Sequence, residues 1–193
     1  MASYSQKTIF IALILAMAAP ISTSHRRRWR RSDREWNSEQ YLRDLCSETD
    51  RSDVCWNILR SELHRFDDGD IAAGVIDLAV AKSKAIGDQL NQWYRDSNDD
   101  RMKNKYHSCS KNYDDVDRNL EQAQRNLDSD DNRRISDQID DAEEELEECR
   151  REFGSGSFDP GHVEDRNNEL RLYLDMVRVA VNRLEDYYDS DRH

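Results

Sequence analysis

The chain contains little that breaks a helix: two prolines and six glycines in 193 residues. Together with abundant Glu, Asp, Arg and Leu, that scarcity points to an all-α protein. Beyond the first 24 residues no apolar run is long enough to cross a bilayer, so no membrane span is expected there. Positive charge is also short. The formal net charge is −12, and a chain of that balance lacks the basic face that nucleic acid requires. Its five histidines (His25, His64, His107, His162, His193) are scattered, with no Ser/His/Asp or Cys/His order among them. No carboxylate pair stands out as a general acid and base either, so no enzymatic activity and no cofactor are expected.

The exception to this polarity lies at the start. Lys7 is the only charge in residues 1–24, Thr8 to Ile21 form an apolar run, and Ser22 and Ser24 suit a cleavage site before His25. The run is short for a membrane span and Pro20 interrupts it, which predicts a secretory signal peptide rather than an anchor. The expected mature chain, residues 25–193, is a secreted protein with no membrane attachment, of a length suited to one domain.

Four cysteines in a secreted chain predict two disulfides. Neither spacing comes with a histidine pair suited to zinc. From residue 106, Tyr106, Cys109, Tyr113, Val116, Leu120, Ala123 and Leu127 recur at steps of three and four, one stripe down a helix. Ile135, Ile139, Ala142, Leu146, Cys149 and Phe153 form a second. Folded as an antiparallel hairpin, the stripes pair Cys109 with Cys149, Tyr113 with Leu146, Val116 with Ala142, Leu120 with Ile139 and Ala123 with Ile135. The two residue numbers then keep a constant sum to within one. The register thus selects Cys109–Cys149 and leaves Cys46–Cys55.

Two short helices flank the first cysteine pair. One runs near residues 38–47, with Tyr41, Leu42, Leu45 and Cys46. The other starts at a Ser52/Asp53 cap and carries Val54, Cys55, Ile58, Leu59 and Leu63. Asp67-Asp68-Gly69-Asp70 breaks the chain. Long helices are expected over 70–97, 102–127, 132–153 and 163–188. The first rests on Ala72, Val75, Ile76, Ala79, Ile86, Leu90 and Trp93, with Ser83 filling a slot. The last rests on Leu170, Tyr173, Leu174, Val177, Ala180, Val181, Leu184 and Tyr188. Residues 96–100 and 128–131 are turns, and GSGSFDPG (154–161) is a connector. Four amphipathic helices on short loops make an up-and-down four-helix bundle with an N-terminal helical hairpin extension.

The order of these parts resembles one family. CSETDRSDVC spans the first cysteine pair, CSKNYDDVDRNLEQAQRNL opens at Cys109, AEEELEECRREF holds Cys149, and NNELRLYLDMVRVAVNRLE forms the last helix. On these segments the chain resembles the plant invertase and pectin methylesterase inhibitors, as a divergent, highly charged member. The resemblance implies the same bundle, the pairing Cys46–Cys55 and Cys109–Cys149, and a cell-wall protein of the plant apoplast that blocks a carbohydrate-active enzyme in a 1:1 complex. It gives a domain plan of signal peptide 1–24, basic arm 25–36, inhibitor domain 37–188 and tail 189–193.

Two departures bear on the target. Invertase inhibitors of the family carry Pro-Lys-Phe between the third and fourth cysteines, and this chain has Asn132-Arg133-Arg134 at about that place. Pectin methylesterase inhibitors usually have a Ser-Ala-Ala-rich, mostly uncharged stretch before the fourth cysteine, whereas residues 136–145 here are acidic. Pectin methylesterase is the expected partner. Invertase is the alternative, and a non-inhibitory pectin-binding or signalling protein on the same scaffold is a third reading.

Asn132, Arg133 and Arg134 are therefore candidate inhibitor-loop residues. The acidic run 137–148 is a candidate footprint for a basic enzyme surface, or simply a solvated helix face. Arg26, Arg27, Arg28, Arg30 and Arg31 in HRRRWRR are candidate pectate-binding residues, or a leader exposed by cleavage. Asp128, Asp130 and Asn132 begin like a calcium loop, but Arg133 stands where glycine is needed and Ile139 where glutamate is, so no metal is expected. Trp56 and Trp93 fall beside apolar stripes and read as packing residues, while Trp29 and Trp36 lie outside any stripe.

Overall fold

The computed structural model describes residues 38–63, 66, 71–154 and 159–190, with the side chains of residues 38 and 185–190 outside that description. The expected leader, the arginine arm, Trp29, Trp36, the 67–70 break and residues 155–158 of the 154–161 connector lie outside the described residues. Among the described residues six helices run in chain order: α1 (Ser38–Ser47), α2 (Ser52–Ser61), α3 (Ile71–Asp96), α4 (Asp100–Asp128), α5 (Arg133–Phe153) and α6 (Val163–Ser190). There is no strand among the described residues. The expected spans agree to within a few residues. The last helix differs most at its end, continuing past 188 to Ser190.

The long helices form a closed four-helix ring in which α3 packs on α4, α4 on α5, α5 on α6, and α6 back on α3. The stripes become its core. Tyr113, Val116, Leu120 and Ala123 of α4 are buried with Ile135, Ile139, Ala142 and Leu146 of α5. Each fully buried Leu or Ile contributes about 1.5–3 kcal/mol of transfer free energy. Cys109 is bonded to Cys149 across this pair, and Cys46 to Cys55 across α1 and α2. The α1–α2 hairpin buries Leu42, Leu45 and Leu59 and rests on α6.

The helix ends have local causes. Asp99 caps α4, its Oδ1 accepting from the backbone N–H groups of Arg101 (2.9 Å) and Met102 (3.3 Å). Gly154 closes α5 at φ 63°, a left-handed conformation that costs glycine nothing. The expected Ser52/Asp53 cap is a correction: Arg51 is the cap residue and no side chain caps α2, so Ser52 and Asp53 are already helical. Before α6, Gly161 lies under the Trp93 ring, where an added Cβ would sit 2.8 Å from a ring carbon. Trp93 in turn tilts against Tyr106 (centroids 5.4 Å apart), and Tyr106 against Phe153 (5.8 Å). These aromatics close one end of the bundle, so Trp93 is a packing residue.

One polar chain crosses the core. The Tyr113 hydroxyl donates to Asn167 Oδ1 at 2.8 Å, and Asn167 Nδ2 donates to the Leu146 carbonyl at 3.2 Å. Asn167 is fully buried and Tyr113 nearly so. Burial drives the Tyr113 phenol well above its usual range, which keeps it protonated as a donor. Three helices are thereby tied at one level. Tyr113→Phe leaves the Asn167 acceptor buried and unpaired, and is expected to lower unfolding stability by about 1–3 kcal/mol in denaturant titration. A change within error would contradict this role. Removing the longer disulfide as Cys109→Ala/Cys149→Ala is expected to lower stability by up to about 4 kcal/mol while the far-ultraviolet helix signal persists.

Candidate functional site

Of the residues singled out for an inhibitor loop, Asn132 ends the α4–α5 turn, while Arg133 and Arg134 are already the first residues of α5. Asp130 takes a left-handed φ of 59°, which an Asp tolerates, and turns the chain between the helices. The Ser129 hydroxyl donates to the carbonyls of Arg125 (2.9 Å) and Asn126 (3.1 Å), closing α4. Asn132 starts α5 in helical conformation and its side chain makes no capping bond. Its Oδ1 is buried and unpaired, as is Asn126 Nδ2 one turn away in the same hairpin tip. Arg134 pairs with Asp131 at 3.1 Å. Arg133 is exposed and has no ion-pair partner among the described residues. The tip thus presents one unpaired and one tethered guanidinium, above two buried amide atoms that have no hydrogen-bond partner among the described residues. Among the described residues no three His, Cys, Asp or Glu side chains converge as a metal cage.

Much of the acidic run on α5 is answered from neighbouring helices. Arg178 of α6 reaches Asp140 (2.8 Å) and Glu143 (3.2 Å). Glu147 is held between Arg150 and Arg171, the latter at 2.7 Å. Asn112 of α4 donates to Glu145 at 2.8 Å, and Ser108 to Glu152 at 2.9 Å. The two guanidiniums, Arg150 first and then Arg171, lower the Glu147 carboxyl from 4.5 to about 2. What remains is a narrow stripe. Asp137, Asp141 and Glu144, at steps of four and three, are exposed and without a salt bridge among the described residues. Asp141 and Glu144 border a shallow concavity with Asp115, Arg118, Asn119 and Glu145.

These pairings were not foreseen from the sequence. Arg171 and Arg178 sit seven residues apart on α6, so they share a face, and in the antiparallel pairing they meet Glu147 and Asp140. That spacing was the available signal. Two further polar contacts hold the N-terminal hairpin to α6: Arg183 bonds Glu48, and the Asp50 backbone N–H donates to Asp175 at 3.2 Å.

A sequence model of the plant invertase/pectin methylesterase inhibitor family matches residues 40–183. The chain belongs to that family. The match includes both disulfides, the hairpin tip and the four bundle helices, apart from the end of α6 beyond residue 183. Two solved structures are similar in fold. One is a mutant form of a pectin methylesterase inhibitor from Arabidopsis, with TM-score 0.64, 19% identity, and coverage of 73% of this chain and 95% of that one. The other is a pectin methylesterase inhibitor from Arabidopsis thaliana, with TM-score 0.54, 18% identity, and coverage of 74% and 95%. No curated protein matches the sequence. The family's proteins are inhibitors of enzymes, and this member has the family's all-helical bundle with its two disulfides.

One carboxylate in this inhibitor scaffold is placed against its own charge. Asp117 of α4 is half-buried and faces the fully buried Ser83 of α3. Burial raises its pKa above the ordinary 3.8, and neighbouring Ser83 and Lys84 offset this only in part. The folded state therefore holds this proton more tightly than the unfolded chain does. Its stabilising effect is present in acid and is lost as pH rises past the unfolded value through the folded one. Asp117→Asn is expected to raise the melting temperature near neutrality, with the gain shrinking as the solution is acidified. A variant less stable than the parent near neutrality would contradict the assignment.

Proposed function

We propose that this protein is a secreted inhibitor of plant cell-wall pectin methylesterase, acting by non-covalent 1:1 occlusion of the substrate cleft. The observation that carries the reading is the family match across residues 40–183, supported by a fold similar to that of pectin methylesterase inhibitors. The hairpin tip favours the esterase over invertase. Where the resemblance leads one to expect Pro-Lys-Phe, the chain carries Asn132, Arg133 and Arg134, a cationic tip with no aromatic anchor.

In this reading residues 1–24 direct secretion and are removed, 25–36 form a basic arm, 37–188 form the inhibitor domain and 189–193 a tail. No described helix is long and apolar enough to cross a membrane, which accords with an apoplastic location. The arginines at 26, 27, 28, 30 and 31 remain candidates for pectate contact. Asn132, Arg133 and Arg134 are the positional candidates for the enzyme contact. The Asp137–Asp141–Glu144 stripe supplies long-range attraction to a basic surface, which acts on association rate more than on affinity.

The direct test titrates purified, oxidised protein against pectin methylesterase, with invertase in parallel. Esterase activity is expected to fall to a plateau near equimolar inhibitor while invertase stays unaffected. Unchanged esterase activity with both disulfides intact would refute the proposal. Within an inhibitory protein, Arg133→Ala is expected to weaken inhibition roughly fivefold, as loss of one interfacial charge does, with no change in melting temperature.

A further inference from the structure

The charge of this acidic chain is unevenly distributed along α4. Residues 101–111 read RMKNKYHSCSK, with four cations and no carboxylate. Arg101, Lys103, Lys105 and Lys111 have no ion-pair partner among the described residues, whereas Lys82, Lys84, Arg118 and Arg134 are all paired. The position is also electrostatically unfavourable. Arg101, Lys103 and Lys105 stand in the first two turns of α4, where the helix dipole is already positive. Asp99 and Asp100 stand at the start of the helix, Asp99 as its cap, and neither forms an ion pair with these cations. Among the described residues the protein thus holds unpaired cations at one end of a molecule of net charge −12.

Aromatic rings lie within the same patch. Tyr94, from the last turns of α3, stacks on His107 of α4, with centroids 4.8 Å apart and planes 26° from parallel. Lys103 Nζ lies 5.3 Å from the centre of the Tyr94 ring. Lys103, His107 and Lys111 follow one another at steps of four and so share a face of the helix. Tyr94, Lys103 and His107 are partly exposed and Lys111 is exposed. From Lys103 to Lys111 the ridge runs about 12 Å, at 1.5 Å per residue. One turn further on, Asp114 and Asp115 end the basic stretch.

We propose that this ridge binds a linear polyanionic polysaccharide, of the kind left when methyl esters are removed from pectin. The proposal rests on the reading of pectin methylesterase as the target. A pyranose ring offers a flat C–H face to stack against the Tyr94–His107 pair. Its carboxylate meets the ammonium groups of Lys103 and Lys111, and the ridge spans a few sugar units. Fully esterified pectin lacks those carboxylates, so the ridge discriminates product from substrate and holds the inhibitor where de-esterification has already occurred. The acidic stripe of α5 repels the same polymer and confines it to this end.

The test is affinity electrophoresis of the full mature chain in native gels containing polygalacturonate or fully esterified pectin, each referred to a polymer-free gel. The parent is expected to be retarded by polygalacturonate alone, with retardation weakening as salt is raised. Lys103→Glu/Lys111→Glu is expected to reduce the apparent affinity roughly tenfold, and Tyr94→Ala several-fold with helix content unchanged. Arginine-to-alanine replacement across 26–31 is run separately, so that any contribution of the arm is measured by itself. Retardation that survives both ridge variants would overturn the proposal. So would ridge variants that lose esterase inhibition while keeping polygalacturonate retardation, since the ridge would then belong to an enzyme contact. Retardation by polygalacturonate that depends on the ridge, in a protein that fails to inhibit the esterase, would sustain the ridge and refute only the proposed target.

Discussion

The register of α4 against α5 is the constraint on which the remaining contacts depend. A one-residue slip in a helix turns its stripe by about 100°, which would bring carboxylates such as Asp140 and Glu143 toward the core in place of Ile139 and Ala142. The Cys109–Cys149 bond fixes that register at one end, and the Tyr113–Asn167–Leu146 chain holds it further along. With the register set, α6 must present Arg171 and Arg178 to Glu147 and Asp140, and the tip must fall at Asp130. A family scaffold can therefore vary its surface widely while the frame stays put. That is consistent with a similar fold at 19% identity.

The frame was largely legible in the sequence. Steps of three and four placed the helices, and pairing the stripes at constant sum placed the longer disulfide, because a core helix must bury a continuous face. The capping of α2 was misread: Ser and Asp at a helix start signal a cap, but Arg51 took the position and left both inside the first turn. Asn167 was passed over because a polar residue beside an apolar stripe looks like surface. Only its partner on another helix, Tyr113, reveals it as core. The pairings of α5 with α6 were hidden for the same reason: salt bridges between helices need the packing angle as well as the spacing. Asn132, Arg133 and Arg134 fall at the start of α5. The unmet amide groups of Asn126 and Asn132 are a property of the folded turn alone.

Charge is organised by helix position more than by total. Four carboxylates of α5 pair with arginines of its own helix or of α6, Glu145 and Glu152 accept hydrogen bonds from α4, and Asp137, Asp141 and Glu144 are left open. The first half of α4 carries the opposite sign. A molecule polarised in this way orients before it docks, since a field of several kT at each end favours one approach over its reverse.

The central claim is that the clamped α4–α5 hairpin is the rigid frame of the protein. Native-state amide hydrogen exchange on the oxidised protein tests it most directly. The slowest-exchanging amides are expected between Cys109 and Ala123 and between Ile135 and Cys149, with α1 and α2 opening earlier. Slowest exchange in α1 and α2, or protection spread evenly over all six helices, would contradict the account.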